Sequence, residues 1–348
     1  MIVPEILFDG QGFHEGMAVL VEGEQVTAVG PASELRSPGV TELHVEGTLL
    51  PGFIDLHVHA SSLTSEALLS KGLTTVRDLA GSARSLPPPD PAPGTVRRIV
   101  AGPIITAPGG YPIEAWGRAI AKPVSSPEEA AAAVSDLHAA GAGVIKTALE
   151  PGGDRHWPML GQAELRALVR EAHEQNLRVT VHVEDGAIPV KRALAAGIDE
   201  FAHMPCRGQS PALIRQVAEA GVPVVGTLDV QHSSWCEDNM RNARIFVAAG
   251  GKLLYGTDMG NPGIGGGIDV EELELMRETG LSIEAMLSAA TAEAGKALGL
   301  APLGVIAPGA PADLIAVNGD VREDLHTLQR PVLVISGGVV VVNVLDRG

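Results

Sequence analysis

The stretch PGFIDLHVHA, residues 51–60, decides the fold. It is an apolar run of strand length that ends in two histidines one residue apart. Because side chains alternate along a strand, His57 and His59 point to the same face, and Asp55 points with them. A buried strand ordinarily carries Val or Ile on such a face. Two imidazoles there indicate a site with its own chemistry.

Seven further runs of strand length follow, separated by segments rich in Ala, Leu and Glu. Ser126-Pro127 and Ser210-Pro211 are typical of helix starts, and Gly141, Gly221 and Gly250 of helix ends. Eight βα units in about 250 residues predict a closed parallel (β/α)8 TIM barrel. The alternative is an open doubly wound sheet, but no clear glycine-rich phosphate loop follows an early strand. The eight predicted strands are FIDLHVH, TTVRDL, RRIVAGPIIT, GVIKTAL, RVTVHVE, DEFAHM, PVVGTLD and KLLYGTD.

The two ends of the chain differ from the middle, because they consist of short Val-rich runs joined by glycine turns. MAVLVEGEQVTAVG predicts a hairpin, and PVLVISGGVVVVNVL predicts strands broken at Gly-Gly. We therefore expect residues 1–51 and 302–348 to form one small β-sandwich domain. Residues 52–301 are expected to form the barrel domain.

Composition limits the partners of this chain. The 348 residues are 45% hydrophobic, which is enough for a large buried core, and the formal net charge is −17. Such an acidic chain is a poor match for nucleic acid or an anionic membrane surface. We expect a small-molecule or peptide substrate, and the sequence is compatible with a homo-oligomer.

Targeting signals and cysteine usage indicate the compartment. The start MIVPEILFDG lacks the basic and apolar regions of a signal peptide, and no apolar run reaches membrane-spanning length. Cys206 and Cys236 are too few to predict a disulfide framework. These observations favour the reducing cytoplasm.

Six polar residues lie near the C-terminal ends of five predicted strands. In a parallel barrel all those ends converge on one mouth, so residues distant in sequence meet there. Imidazoles with a carboxylate make a metal site of the kind zinc prefers, although manganese, iron and cobalt also suit such ligands. A lone strand histidine is more often a hydrogen-bonded core residue, but six such placements together favour the metal. The six are His57, His59, Lys146, His182, His203 and Asp258.

These residues carry a resemblance to the amidohydrolase superfamily of metal-dependent hydrolases, most of all to its imidazolonepropionase-like and prolidase-like branch. PGFIDLHVHA resembles the first-strand signature of that superfamily, and KGLTTVRDLA resembles its second-strand segment. VTVHVEDGAIPVKRALAAGIDEFAHM resembles the region of the fifth- and sixth-strand histidines. LLYGTDMG resembles the eighth-strand aspartate motif, and AATAEAGKALGLAPLGVIAPGAPADLIAVNGD resembles the closing helix and the return to the small β domain.

The resemblance implies a role for each site residue. His57, His59 and Asp258 would hold one divalent ion, and His182 and His203 a second, most simply zinc. Lys146, carboxylated by carbon dioxide, would bridge the two ions as a carbamate. A lysine cation would be repelled by two divalent ions, whereas burial near cations lowers a lysine pKa and leaves a neutral amine able to react.

The implied reaction is hydrolysis of a carbon–nitrogen bond in an amide, peptide or cyclic amide by a metal-activated hydroxide, with Asp258 as proton shuttle. Two alternatives stay open. A mononuclear deaminase of a heterocycle would use a glutamate three positions after the fifth-strand histidine, whereas Glu184 is two positions after His182. A non-catalytic metal-barrel scaffold would ordinarily have lost ligands, and none is missing here.

Departures from the branch pattern concern substrate contacts. Tyr111 stands where a Gly-Gly-His segment is expected, DVEE replaces a His-Glu pair after the last strand, and the first βα unit is short. We expect a mouth open enough to admit part of a peptide. Tyr111, Arg207 and His232 are candidate substrate-binding residues, and Arg155 with His156 follows the fourth strand. An arginine at the mouth can pair with a substrate carboxylate.

Overall fold

The structure is a computed structural model that describes residues 1–60, 62–82, 86, 91–234, 236 and 238–345. Strands alternate with helices through the middle of the chain, whereas the two ends are mostly strand. The strands of the described residues are β1 (Ile2–Phe8), β2 (Phe13–Glu15), β3 (Met17–Glu22), β4 (Gln25–Pro31), β5 (Leu43–Pro51), β6 (Phe53–Val58), β7 (Leu73–Asp78), β8 (Arg97–Val100), β9 (Ile104–Thr106), β10 (Ala121–Pro123), β11 (Ile145–Ala148), β12 (Val179–His182), β13 (Glu200–Phe201), β14 (Val224–Val225), β15 (Leu253–Leu254), β16 (Leu314–Asn318), β17 (Leu333–Ser336) and β18 (Val339–Asn343).

The helices lie mostly between the strands of the middle region. They are α1 (Ala32–Leu35), α2 (Ser65–Leu69), α3 (Ile113–Trp116), α4 (Pro127–Ala139), α5 (Gln162–Glu174), α6 (Ala187–Ala196), α7 (Pro211–Glu219), α8 (Leu228–Ser234), α9 (Asn239–Ala248), α10 (Val270–Glu278), α11 (Ile283–Ala289) and α12 (Ala292–Ala297). The predicted caps are present, since Ser126 and Ser210 accept hydrogen bonds from the backbone N–H groups of Glu129 and Leu213. None of the helices in these ranges is long and apolar enough to cross a bilayer.

The barrel forms from two runs of parallel strands. One run is β6-β7-β8, and the other is β9-β11-β12-β13-β14-β15 with β10 added at its edge. The predicted third strand is divided into β8 and β9, because Gly102 takes φ +70° and Pro103 has no N–H to donate. Strands β6 and β15 close the cylinder, since Leu56 N donates to Tyr255 O at 3.3 Å. This is the predicted parallel (β/α)8 barrel.

Both chain ends contribute to one further sheet, as the sequence predicts for the small β-sandwich. Its strand order is β18-β17-β16-β5-β1-β3-β4, with β2 paired to β1. The predicted hairpin is the antiparallel pair β3–β4. Leu7, Val19, Val45, Leu314 and Ile335 belong to its apolar core. The domain boundaries at 51/52 and 301/302 stay a prediction.

The sequence does not predict a disulfide, but the structure contains one. Cys206 follows β13 and Cys236 follows α8, and a disulfide joins them with Cα atoms 5.9 Å apart. Successive βα loops are neighbours on the barrel rim, so the two segments meet although 30 positions separate them. Gln231 reinforces the contact, because its Nε2 donates to Met204 O at 3.2 Å. Two cysteines in a sequence do not reveal such proximity.

Candidate metal centre

The C-terminal ends of the barrel strands surround one cavity of about 680 Å³. Among the residues predicted for the site or its substrate contacts, all but His156 and His232 line this cavity, and Arg155 is one of those in the wall. His232 lies exposed on α8, with no part in the wall. The remaining predicted residues in the wall are His57, His59, Tyr111, Lys146, His182, His203, Arg207 and Asp258.

The first ligand group is His57, His59 and Asp258, whose candidate ligand atoms all lie within 4.8 Å of one another. Asp258 Oδ1 is 3.3 Å from His57 Nε2 and 3.0 Å from His59 Nε2. The ring of His57 is oriented by its other nitrogen, since Nδ1 donates to Ala202 O at 2.8 Å. Nε2 of His57 is therefore left with its lone pair toward the cavity.

The second group contains His182, Glu184 and His203, again within 4.8 Å. His203 Nδ1 is hydrogen-bonded to Thr227 Oγ1 at 2.9 Å, which fixes the orientation of the ring. The His182 and His203 ring centroids are 4.7 Å apart, and those of His57 and His203 are 4.5 Å apart. The two groups are therefore adjacent parts of one centre.

Glu184 was not among the predicted ligands. It lies two residues after His182, and this spacing places both side chains on the same face of a strand. That spacing is the feature of the sequence that could have identified Glu184 as a candidate ligand. Glu150, at the end of β11, was also missed. Its carboxylate accepts hydrogen bonds from the backbone N–H groups of Gly152, Glu184 and Asp185 at 2.8, 3.0 and 3.2 Å. Glu150 thus holds the backbone that carries Glu184.

Lys146 lies on β11 with 2% of its surface exposed. Among the described residues its Nζ has no hydrogen-bond partner. Burial lowers the pKa of Lys146 to about 7, and the carboxylate of Asp258 opposes that shift. A large part of the amine is therefore neutral near pH 7, which is the form that reacts with carbon dioxide.

The three buried histidines are also neutral. Burial holds the pKa of His57, His182 and His203 well below the usual range, and the nearby Lys146 amine adds to the effect. Neutral imidazole is the form that binds metal ions. His182 Nε2 is a buried atom that makes no hydrogen bond within the described residues. Ligand atoms crowded together without partners fit divalent cations at this centre.

Asp55 does not join the ligands, although the alternation of a regular strand would point it with the histidines. Its carboxylate accepts hydrogen bonds from His57 N at 3.0 Å, Thr257 N at 3.1 Å and Thr257 Oγ1 at 2.7 Å. The register of β6 against β7 shifts between Asp55 and Val58, so strict alternation fails there. Asp55 therefore ties strand β6 to the end of β15.

Arg207 and Tyr111 differ as candidate substrate contacts. The guanidinium of Arg207 is paired with Asp185, through Nε–Oδ1 and Nη2–Oδ2 distances of 2.7 Å each. Tyr111 stacks on His182 with ring centroids 4.4 Å apart and an interplanar angle of 13°. Burial raises the pKa of the Tyr111 hydroxyl, so it remains a hydrogen-bond donor at neutral pH.

The profile of the amidohydrolase family matches residues 48–341, which cover the barrel and the C-terminal strands of the terminal sheet. The chain therefore belongs to the amidohydrolase family. This confirms the predicted class, a hydrolase of carbon–nitrogen bonds. A search of curated proteins gave no significant match.

Solved structures share the fold over almost the whole chain. A Xaa-Pro dipeptidase with bound methionine superimposes with a TM-score of 0.82 at 23% identity, covering 97% of this chain and 98% of that one. The ochratoxinase of A. niger gives a TM-score of 0.81 at 21% identity, with 98% and 95% coverage. A molinate hydrolase gives 0.77 at 17% identity, with 97% and 93% coverage. At these identities the likeness establishes the fold alone.

Proposed function

We propose that this protein hydrolyses an amide or peptide bond in the cavity, with two divalent cations, zinc first among them, bound at the two ligand groups. One observation carries the proposal. Lys146 Nζ and His182 Nε2 are buried polar atoms that make no hydrogen bond within the described residues. Unpartnered groups of this kind are costly in a fold unless they bind something. The nearby imidazoles and carboxylates complete a donor set for such ions.

Lys146 is proposed to carry a carbamate. Its neutral amine would attack carbon dioxide, form a new N–C bond and release one proton. The product is an anion that fits between the two groups, whereas an ammonium would be repelled there. The burial of Lys146 and the lowered pKa of its amine support this assignment.

Asp258 is proposed to move the proton in the reaction. Bound divalent cations would lower the pKa of water and polarise the substrate carbonyl. The Asp258 carboxylate takes a proton from the attacking water as the new C–O bond forms. It then gives that proton to the leaving nitrogen as the C–N bond breaks. Tyr111 donates a hydrogen bond to the carbonyl oxygen, which supports the developing negative charge.

The substrates proposed are small amides and peptides. A cavity of about 680 Å³ accepts a molecule of the size of a dipeptide or a drug. The similar structures include a Xaa-Pro dipeptidase and an ochratoxinase. The cytoplasmic location and the homo-oligomer stay predictions, and the Cys206–Cys236 disulfide weakens the argument for the cytoplasm from cysteine usage.

The test is a hydrolysis screen of N-acyl amino acids, dipeptides and lactams, with metal content measured on the same sample. Asp258→Asn keeps the shape of the side chain but cannot shuttle the proton, so we expect kcat to fall by about 10²–10⁴-fold. Asp136→Asn is the matched control, because Asp136 lies exposed on α4, and it should behave as the parent. Parent-like turnover by Asp258→Asn would refute the assignment.

Deamination of a heterocycle is the second candidate, because Glu184 lies with His182 and His203 and could exchange protons there. It predicts one metal ion per chain and release of ammonia from a nucleobase or related ring. Two ions per chain with cleavage of amides would exclude it. Tightly bound metal without turnover of either substrate class would instead favour the non-catalytic scaffold.

A further inference from the structure

Aromatic side chains are scarce in this chain, and three of them line the cavity. The sequence contains only two tyrosines and three tryptophans. Tyr111, Trp116 and Trp157 all line the cavity, and together they form what we term the aromatic wall. Ile104 and Ile120 also line the cavity, so this wall offers an extended apolar surface.

The aromatic wall begins beside the metal centre and runs outward. Tyr111 stacks on His182, and its ring centroid is 5.4 Å from that of Trp157. Two different loops supply these rings, one after β9 and one after β11. A hydrogen bond of 3.0 Å from Trp157 Nε1 to Glu114 Oε2 joins the loops. The wall is thus fixed in position before any substrate arrives.

Trp116 is the outer member of the wall, and 57% of its surface is exposed. A large aromatic side chain left open to water at the mouth of a cavity is typical of a binding surface, because a ligand that covers it buries apolar area. Glu114, which holds Trp157, lies on the same short helix α3. The exposed ring of Trp116 is therefore part of the same fixed surface.

Arg155 places a positive charge beside the Trp157 part of the wall. Its guanidinium carbon lies 5.1 Å from the centroid of the Trp157 ring. Within the described ranges no carboxylate pairs with Arg155, whereas Arg207 in the same cavity is neutralised by Asp185. In a chain of net charge −17, an arginine at the mouth without an acidic partner is suited to a substrate carboxylate.

We propose that the aromatic wall and Arg155 select the leaving group of the substrate. The preferred substrates are dipeptides and N-acyl amino acids whose C-terminal residue is aromatic. The aromatic side chain lies against the exposed ring of Trp116, and the carboxylate pairs with Arg155. The scissile amide then lies beside Tyr111 and the metal centre. This inference rests on the proposed amide hydrolysis and names its substrate class.

The first experiment measures kcat/KM for Gly-Phe, Gly-Ala and Gly-Phe-amide. Burial of the ring is worth about 1.5–3 kcal/mol, so Gly-Phe should exceed Gly-Ala by about 10–100-fold. Trp116→Ala should lower kcat/KM for Gly-Phe about tenfold more than it lowers kcat/KM for Gly-Ala. The matched control is Ile188→Ala, because Ile188 is 68% exposed on α6 and does not line the cavity. Equal rates for Gly-Phe and Gly-Ala would overturn the proposal.

Arg155→Gln tests the carboxylate contact. We expect it to lower kcat/KM for Gly-Phe about tenfold and to leave Gly-Phe-amide unchanged, because the amide has no charge to lose. An equal loss for both compounds would contradict the pairing with Arg155. Both substituted residues are exposed, so the variants should fold as the parent does.

A binding measurement separates this proposal from the reaction itself. L-Phenylalanine, L-alanine and L-phenylalaninamide are titrated into the metal-loaded protein by calorimetry. The proposal predicts that L-phenylalanine binds more tightly than L-alanine and L-phenylalaninamide, and that Trp116→Ala lowers the affinity for L-phenylalanine. This result would support the aromatic wall even if no dipeptide is cleaved. Cleavage of dipeptides with no preference for phenylalanine would leave the proposed hydrolysis standing and overturn the aromatic wall.

Discussion

The buried ion pair between Arg77 and Glu200 allows a test of how the barrel interior supports the candidate metal centre. Both side chains are 2% exposed, and Arg77 Nη1 and Nη2 donate to the two oxygens of Glu200. Arg77 Nε donates to Leu56 O at 2.7 Å, and Thr180 Oγ1 donates to Glu200 Oε1 at 2.9 Å. Glu200 lies three residues before His203, and both charges of the pair act on the pKa of Lys146, so the pair lies close to the candidate metal ligands.

Glu200→Gln would remove the negative charge and leave the buried guanidinium uncompensated. Breaking a buried pair in this way costs about 3–5 kcal/mol, which is a large part of the 5–15 kcal/mol that typically stabilises a domain. Arg77→Met should also destabilise the fold, because it leaves the buried Glu200 carboxylate without its partner. The double variant Arg77→Met/Glu200→Leu should be more stable than either single variant, since it leaves no buried charge.

The assay is urea denaturation followed by circular dichroism on chelator-treated protein, because bound metal would shift the apparent stability. Lys122→Ala/Asp136→Ala is the control. It removes an exposed ion pair with an N–O distance of 3.1 Å and should change the free energy of unfolding by less than about 1 kcal/mol. If Glu200→Gln lies within about 1 kcal/mol of the parent, or if the single losses simply add in the double variant, the reasoning fails.

Two further predictions concern the metal and the acidity of the chain. Lys146→Met removes the amine and keeps the apolar stem. It should lower the metal content per chain by at least about one half, as measured by atomic emission on the purified protein. Unchanged metal content would contradict a bridging role for Lys146. Burial raises the pKa of Asp269 to about 6 from its ordinary 3.8. The folded state therefore binds this proton more tightly than the unfolded state does. The resulting contribution to the free energy of unfolding is lost as the pH rises from about 4 to 6. Asp269→Asn can still cap α10, and thermal denaturation should show it to be about 1–2 kcal/mol more stable than the parent at pH 7 but equal at pH 4; the same difference at both pH values would contradict the shift.

The barrel could be predicted because its signals are periodic and local. Runs of strand length alternate with capped helices such as α4 and α7, and the polar ends of the strands mark the mouth. In a closed parallel barrel, the C-terminal ends of all strands meet at one mouth. Residues at those ends can therefore be assigned to one site without knowing which residues contact each other. That is why residues as distant as His57 and Asp258 could be placed together from the sequence.

The details that the sequence left open depend on three-dimensional neighbours. The pairing of Arg207 with Asp185 joins two loops, and so does the disulfide between Cys206 and Cys236. Nothing in the spacing of these residues distinguishes a paired side chain from one available to substrate. Arg155 and Arg207 look alike in the sequence, because each follows a strand.

Closure of the barrel and assembly of the centre depend on the same hydrogen bonds. Asp258 N donates to His57 O at 2.8 Å, and His59 N donates to Met259 O at 2.6 Å. Asp55 adds the side-chain bonds to Thr257 that tie the same two strands. Because the first ligand group lies on this seam, its geometry is set by the backbone rather than by flexible side chains. A substitution that loosens the seam, even at a residue that cannot reach a metal, should therefore weaken metal binding together with stability.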